Sequence, residues 1–135
     1  MNKSILVVAS HPDDEVLGCG GTILKEVENG NKVHLIFMTN GISARSETKK
    51  KDIKSRLEAS KFAQSILGIS SVRYLNYPDN RMDTIPLLDI VQKIELIINE
   101  LQPSIIYTHH FGDLNVDHKL THSAVMTACR PIPDC

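Results

Sequence analysis

Four short apolar runs recur along the chain: SILVVAS (4–10), KVHLIFMT (32–39), SVRYLNY (71–77) and SIIYT (104–108). Segments with helical spacing lie between them, and no other feature limits the fold as strongly. A short run bounded by turn signals reads as a strand. An uninterrupted one such as ILVVA reads as a strand buried on both faces. The intervening segments predict helices over 14–29, 46–67, 85–101 and 116–129. Asn29-Gly30 and Gly68 stop the first two, and Pro103 follows the third. Val16, Ile23 and Val27 supply the apolar side of the first helix, and Ile53, Leu57, Phe62, Ile66 and Leu67 that of the second. The third helix carries Ile90, Ile94, Ile97, Ile98 and Leu101. Strands alternating with helices call for parallel pairing through right-handed crossovers.

The predicted fold class is therefore α/β, a Rossmann-like three-layer sandwich with a mostly parallel sheet. The 135 residues contain no repeat or linker, so a single domain over 1–135 is expected. A net charge of −1 gives no reason to expect nucleic acid as a partner. The run Lys49-Lys50-Lys51 reads as a solvated helix start. Three cysteines without a CxxC pair argue against a disulfide scaffold and fit a reducing compartment. No apolar run approaches the roughly twenty residues of a membrane span. The N-terminus lacks a cleavage-like end, so a cytoplasmic location is expected.

In open parallel sheets, ligands bind beyond the carboxyl ends of the strands, where strand order reverses. His11-Pro12-Asp13-Asp14-Glu15 follows the first run, Asn40-Gly41 the second and Asp79-Asn80-Arg81 the third. His109, His110, Asp113, Asn115, Asp117 and His118 follow the fourth. If the first and fourth strands are neighbours, His11, Asp14 and His118 could meet on one rim. Two imidazoles and a carboxylate are the ligand set of a catalytic zinc site with an open position. A second carboxylate nearby could take a proton from water, so Asp13 and Asp14 could divide the labour. Pro12 restricts the ligand loop. Against this stands a simpler account, in which acids at a helix start serve as caps and complement its dipole.

The segments HPDDEVLGCGGTI (11–23) and GDLNVDHKLTHSAV (112–125) resemble the two signature motifs of the LmbE/PIG-L deacetylase family. SRLEASKFAQSILGI (55–69), YPDNRMD (77–83), PSIIYTHH (103–110) and ACRP (128–131) extend the resemblance over essentially the whole chain. It implies a zinc-dependent hydrolase that removes an N-acetyl group from an N-acetylglucosamine-type amino sugar or glycoconjugate. One zinc ion per chain, Zn2+, would be held by His11, Asp14 and His118, with Asp13 as general base. The implied reaction is attack of zinc-activated water on the amide carbonyl, followed by protonation of the leaving amine. Arg56 and Asp79 match positions near the family's substrate pocket. Many members carry histidine where this chain has Asn115, which cannot deliver a proton but can donate a hydrogen bond. The amine's proton would then come from Asp13 or from another group such as His110, with Asp117 orienting a neighbour.

Other readings attach to the same residues. The site would also suit non-haem iron. The early stop at Cys135, before the family's usual C-terminal strands, is expected to mark a truncated chain. With Asn115, that stop favours an impaired domain that binds a sugar or a partner. An uncovered apolar face on the last helix would invite a homo-oligomer. Gly18, Gly20 and Gly21 are in the wrong order for a dinucleotide fingerprint and read as close-packing positions. His34 reads as structural and His122 as packing or support for the site. Alternation sends one of His109 and His110 toward the site without saying which.

Overall fold

The computed structural model describes residues 2–42 and 50–131. Positions 46–49 of the second predicted helix, Lys49 of the lysine run and Cys135 lie outside them. The order of elements is β1 (Ser4–Ala9), α1 (Asp14–Glu28), β2 (Lys32–Thr39), α2 (Lys50–Leu67), β3 (Ser71–Tyr77), a 3-10 turn (Met82–Thr84), α3 (Leu87–Leu101), β4 (Ile105–Thr108) and α4 (Val116–Ala128). The four strands form one parallel sheet in the order β3-β2-β1-β4. Among the described residues, no helix is long and apolar enough to cross a membrane.

The period-2 alternation of β1 and β2 divides the core. Ile5, Val7, Ala9, Val33, Leu35 and Phe37 face Ile23 of α1 and Leu67 of α2. Leu6, Val8, Ile36 and Met38 face Ile90, Val91 and Ile94 of α3 and Ala124, Val125 and Ala128 of α4. Both central strands are thus covered on both sides, as their unbroken apolar runs require. The chain first winds outward from β1 through β2 to β3 and then returns to place β4 on the other side of β1. The reversal falls between β1 and β4, so the loops after these two strands border one crevice.

Several local expectations are revised. Phe62 and Ile66 are 69% and 62% exposed. The buried side of α2 instead carries Ser60, Gln64 and Leu67. The polar pair tolerates burial because Gln64 Nε2 donates to Tyr74 Oη (2.9 Å) and to Ser60 Oγ (2.8 Å). Helix α3 begins at Leu87 rather than at Ile85, since the residue before Pro86 is held extended (φ −101°, ψ 132°). A Cβ at Gly18 or Gly21 would meet nothing within 4 Å, so close packing is not their role. They flank a break in α1 at Cys19, which leaves helical geometry at φ −145°, ψ 20°. The last helix is not left bare either: Ala124, Val125 and Ala128 pack into the core beside α3, and Met126 is its one large exposed apolar residue.

Candidate metal centre

His11 leaves the end of β1 and His118 sits in the first turn of α4, while Asp14 opens α1. Their facing atoms form a nearly equilateral triangle. His11 Nδ1 lies 3.1 Å from His118 Nε2 and 3.2 Å from Asp14 Oδ2, and His118 Nε2 lies 3.2 Å from the same oxygen. A tetrahedral zinc ion with bonds of about 2.0–2.1 Å sets its ligand atoms about 3.3 Å apart. The triangle matches that edge.

Each histidine is also held from behind. His11 Nε2 meets Asp117 Oδ2 at 2.9 Å, and His118 Nδ1 meets Asp113 Oδ2 at 2.8 Å. A carboxylate on the outer nitrogen fixes the proton there and leaves the inner nitrogen's lone pair free for a cation. Asp117 is fully buried and also accepts from Asn80 N (2.7 Å) and Met82 N (3.2 Å). Burial alone would hold down the pKa of His11, but the Asp117 and Asp14 carboxylates outweigh it and push the value up to about 9. Asp14 is partly buried, which alone would raise its pKa, yet its bonds to the His11 ring and backbone N–H keep it below the usual carboxylate range. A divalent cation at these atoms would compete with the protonation of His11.

Among the described residues, two other groupings bring similar atoms together, His11 with Asp79 and Asp117, and His109 with Asp113 and His118. The first uses the outer nitrogen of His11, which Asp117 already engages. In the second, His109 Nε2 accepts from Ser10 N (2.9 Å), which occupies its lone pair.

Asp13 stands beside the triangle at the start of α1, its side chain 47% exposed. Arg56 of α2 donates from Nη2 to the Asp13 carboxylate and to Pro12 O (2.9 Å). The structure therefore sets Arg56 against the ligand loop and Asp13. Asp79 is buried, with Oδ1 3.3 Å from His11 Nε2. Asn115 is the N-cap of α4, its Oδ1 accepting from Asp117 N (2.9 Å) and His118 N (3.3 Å). Its Nδ2 donates to Asn80 Oδ1 at 3.4 Å. His110 is exposed, with Nδ1 accepting from Gly112 N (3.1 Å), and it lines a cavity together with Asp14 and His109. His109 takes the inner position, stacked on His118 with ring centroids 3.9 Å apart. Burial and then the neighbouring His118 depress the His109 pKa to about 4. His122 Nδ1 bonds to His109 O (2.8 Å), and His34 Nδ1 to Ser71 Oγ (2.7 Å), so both tie backbone segments together.

Asp113 was the contributor least visible in sequence. Its spacing to His118 follows no helix or strand period, because Asp113 lies in the loop before α4. Glu15 is the other: it reads as a first-turn acid, yet it is 2% exposed and accepts from Asp13 N (3.0 Å).

Residues 6–129 match the family model described as PIG-L: GlcNAc-PI de-N-acetylase. Among curated proteins, the uncharacterized deacetylase YaiS of Escherichia coli K12 is 35% identical over 136 residues, covering 97% of this chain and 70% of its own length. The probable N-acetyl-alpha-D-glucosaminyl L-malate deacetylase 2 of Bacillus cereus is 31% identical over 147 residues, covering 98% of this chain and 64% of its own length. Among solved structures, the 4-carboxy-2-hydroxymuconate hydratase of Pseudomonas putida KT2440 superposes with a TM-score of 0.77 at 28% identity, over 93% of this chain and 55% of that one. The chain thus spans between about half and 70% of the length of these relatives. From the match over 6–129, and from the first relative's identity and coverage, the chain belongs to the PIG-L family of GlcNAc-PI de-N-acetylase-like proteins.

Proposed function

We propose that residues 1–135 form the catalytic part of a zinc-dependent hydrolase that removes the N-acetyl group from an N-acetylglucosamine-type amino sugar or conjugate. The observation that carries this reading is the triangle of His11 Nδ1, Asp14 Oδ2 and His118 Nε2, with sides of 3.1, 3.2 and 3.2 Å, backed by a carboxylate on each histidine's outer nitrogen. Zinc held by these three residues would supply Lewis acidity toward the amide carbonyl and make hydroxide available near neutral pH.

The remaining steps belong to the chain's own groups. Asp13, next in the chain to the ligand Asp14 and with a 47% exposed side chain, takes the proton from the attacking water at a carboxylate oxygen. It returns that proton to the amide nitrogen as the C–N bond breaks, which releases acetate and a free amine. Arg56 holds the Asp13 carboxylate in place. In this reading Asp13 serves both proton transfers. Asp117 and Asp113 keep the histidine lone pairs aimed inward.

The test is acetate release from N-acetylglucosamine and its methyl glycosides by zinc-loaded protein. Asp13→Asn is expected to lower kcat by about 10²–10⁴-fold with zinc content unchanged. Wild-type activity in Asp13→Asn would refute the assignment. Metal analysis of protein purified without added metal separates zinc from iron at the same ligands. A second reading draws on the hydratase among the structural relatives: the same base and cation could add water to a C=C bond of an unsaturated tricarboxylate. Consumption of such a substrate without acetate release from any amino sugar would favour it.

A further inference from the structure

We infer that Glu15 is a positioning residue for Asp13, an inference that rests on Asp13 acting as the base. Asp13 occupies the N-cap position of α1, where an aspartate ordinarily folds its carboxylate back onto the first free N–H groups of the helix. Here it makes no side-chain cap bond. Its backbone instead adopts φ 145°, ψ −26°, a conformation that a residue with a Cβ rarely takes and that must be held by its surroundings. The carboxylate is thereby directed away from the helix's free N–H groups, to Arg56.

The group that holds this arrangement is Glu15. Its side chain is buried and its Oε2 accepts from Asp13 N at 3.0 Å. The Asp13 N–H at this helix start is therefore satisfied two residues downstream, by a buried carboxylate. As in a capping box, a glutamate reaches back to the cap N–H, but here from the second rather than the third helical position, and the cap side chain is released for other work. Burying a carboxylate against apolar surroundings is costly without such donors, so the contact is local and specific. Without it, the Asp13 carboxylate is free to turn back as an ordinary cap, which moves it by the order of an ångström or more from where water must be.

Three variants of the zinc-loaded protein test this: Glu15→Gln keeps an acceptor oxygen, Glu15→Met keeps length without one, and Asp13→Ala removes the base. The measurements are amide hydrogen exchange at Asp13, zinc content, and kcat and KM for acetate release from N-acetylglucosamine. Glu15→Met is expected to lose exchange protection at Asp13 and about 10- to 100-fold in kcat, with KM and zinc content near wild type. Glu15→Gln is expected to retain both protection and most of the activity. In the Asp13→Ala background, Glu15→Met is expected to cost nothing further, since the group it positions is gone. Unchanged protection in Glu15→Met overturns the inference, as does an equal further loss in the Asp13→Ala background. An Asp13→Ala protein as active as wild type overturns the reading of Asp13 as base, and the role of Glu15 with it. An inactive Asp13→Ala beside a fully active Glu15→Met overturns the role of Glu15 alone.

Discussion

Replacing Asp117 by asparagine should weaken zinc binding more than the same change at Asp113, although each carboxylate holds one histidine. Asp117 Oδ2 serves both His11 Nε2 and Asn80 N, while Oδ1 serves Met82 N. An asparagine offers one oxygen for these three donors. Facing His11 and Asn80, it leaves its NH2 against the Met82 N–H, a buried donor without an acceptor, at about 1–3 kcal/mol of stability. Turned the other way, the NH2 donates to His11 Nε2 and drives that ring's proton onto Nδ1, the atom that must face the cation. Either outcome costs metal affinity, by roughly 10- to 100-fold. Asp113 has a 36% exposed side chain, so water can replace its bond to His118, and Asp113→Asn should cost less. Competition with a chromophoric chelator measures the affinities, and denaturant unfolding of the metal-free proteins measures the stability. An Asp117→Asn protein within threefold of wild type in zinc affinity, or an Asp113→Asn protein weaker than it, would refute the reasoning.

The metal-free protein should be most stable near pH 6.5. Between 6.5 and about 9, folded His11 binds a proton that the unfolded chain has lost, so stability falls as pH rises through that window, by at most about 3 kcal/mol. Between 6.5 and about 4 the unfolded chain gains a proton that folded His109 refuses, so stability falls as pH decreases, by a similar ceiling. Saturating zinc keeps His11 deprotonated and should flatten the alkaline side; stability that rises from pH 6.5 to 9 without metal would contradict this. Gly41, at φ 75°, lies against the ligand loop, where an added Cβ would stand 3.0 Å from Pro12 Cδ and 3.2 Å from His11 Cβ. Gly41→Ala should therefore cost about 1–3 kcal/mol and lower Tm measurably, and an unchanged melting curve would show that the loop yields without strain.

The alternation of runs carried the fold. ILVVA and VHLIFM are long enough and apolar enough to admit only central strands, and Pro103, Gly68 and Asn29-Gly30 set the helix ends within a residue or two. What the pattern missed has a common cause in tertiary contacts. The period of α2 marks Phe62 and Ile66 as apolar, but which side faces the sheet is decided by Tyr74, whose hydroxyl makes Ser60 and Gln64 the buried pair. Likewise the choice between His109 and His110 turns on Ser10 N, which lies 99 positions away and captures the His109 ring.

The candidate centre was legible for a more general reason. His11 and His118 are 107 positions apart, yet their meeting follows from one topological event, the return of the chain to place β4 beside β1. Once that pairing is granted, the loop after each strand must open on the same crevice, and any histidines and carboxylates clustered there converge without further instruction. The pairing does not dictate which nitrogen faces inward. That is left to Asp117 and Asp113, and of these only Asp117, on the helix beside His118, stood out in sequence. Asp113 sits in a loop, Glu15 is buried behind the base, and both act through backbone or ring atoms of other residues. Residues that hold the first contacts in place are therefore the ones that a reading of motifs overlooks, and they are where substitution should separate metal affinity and proton transfer from the fold itself.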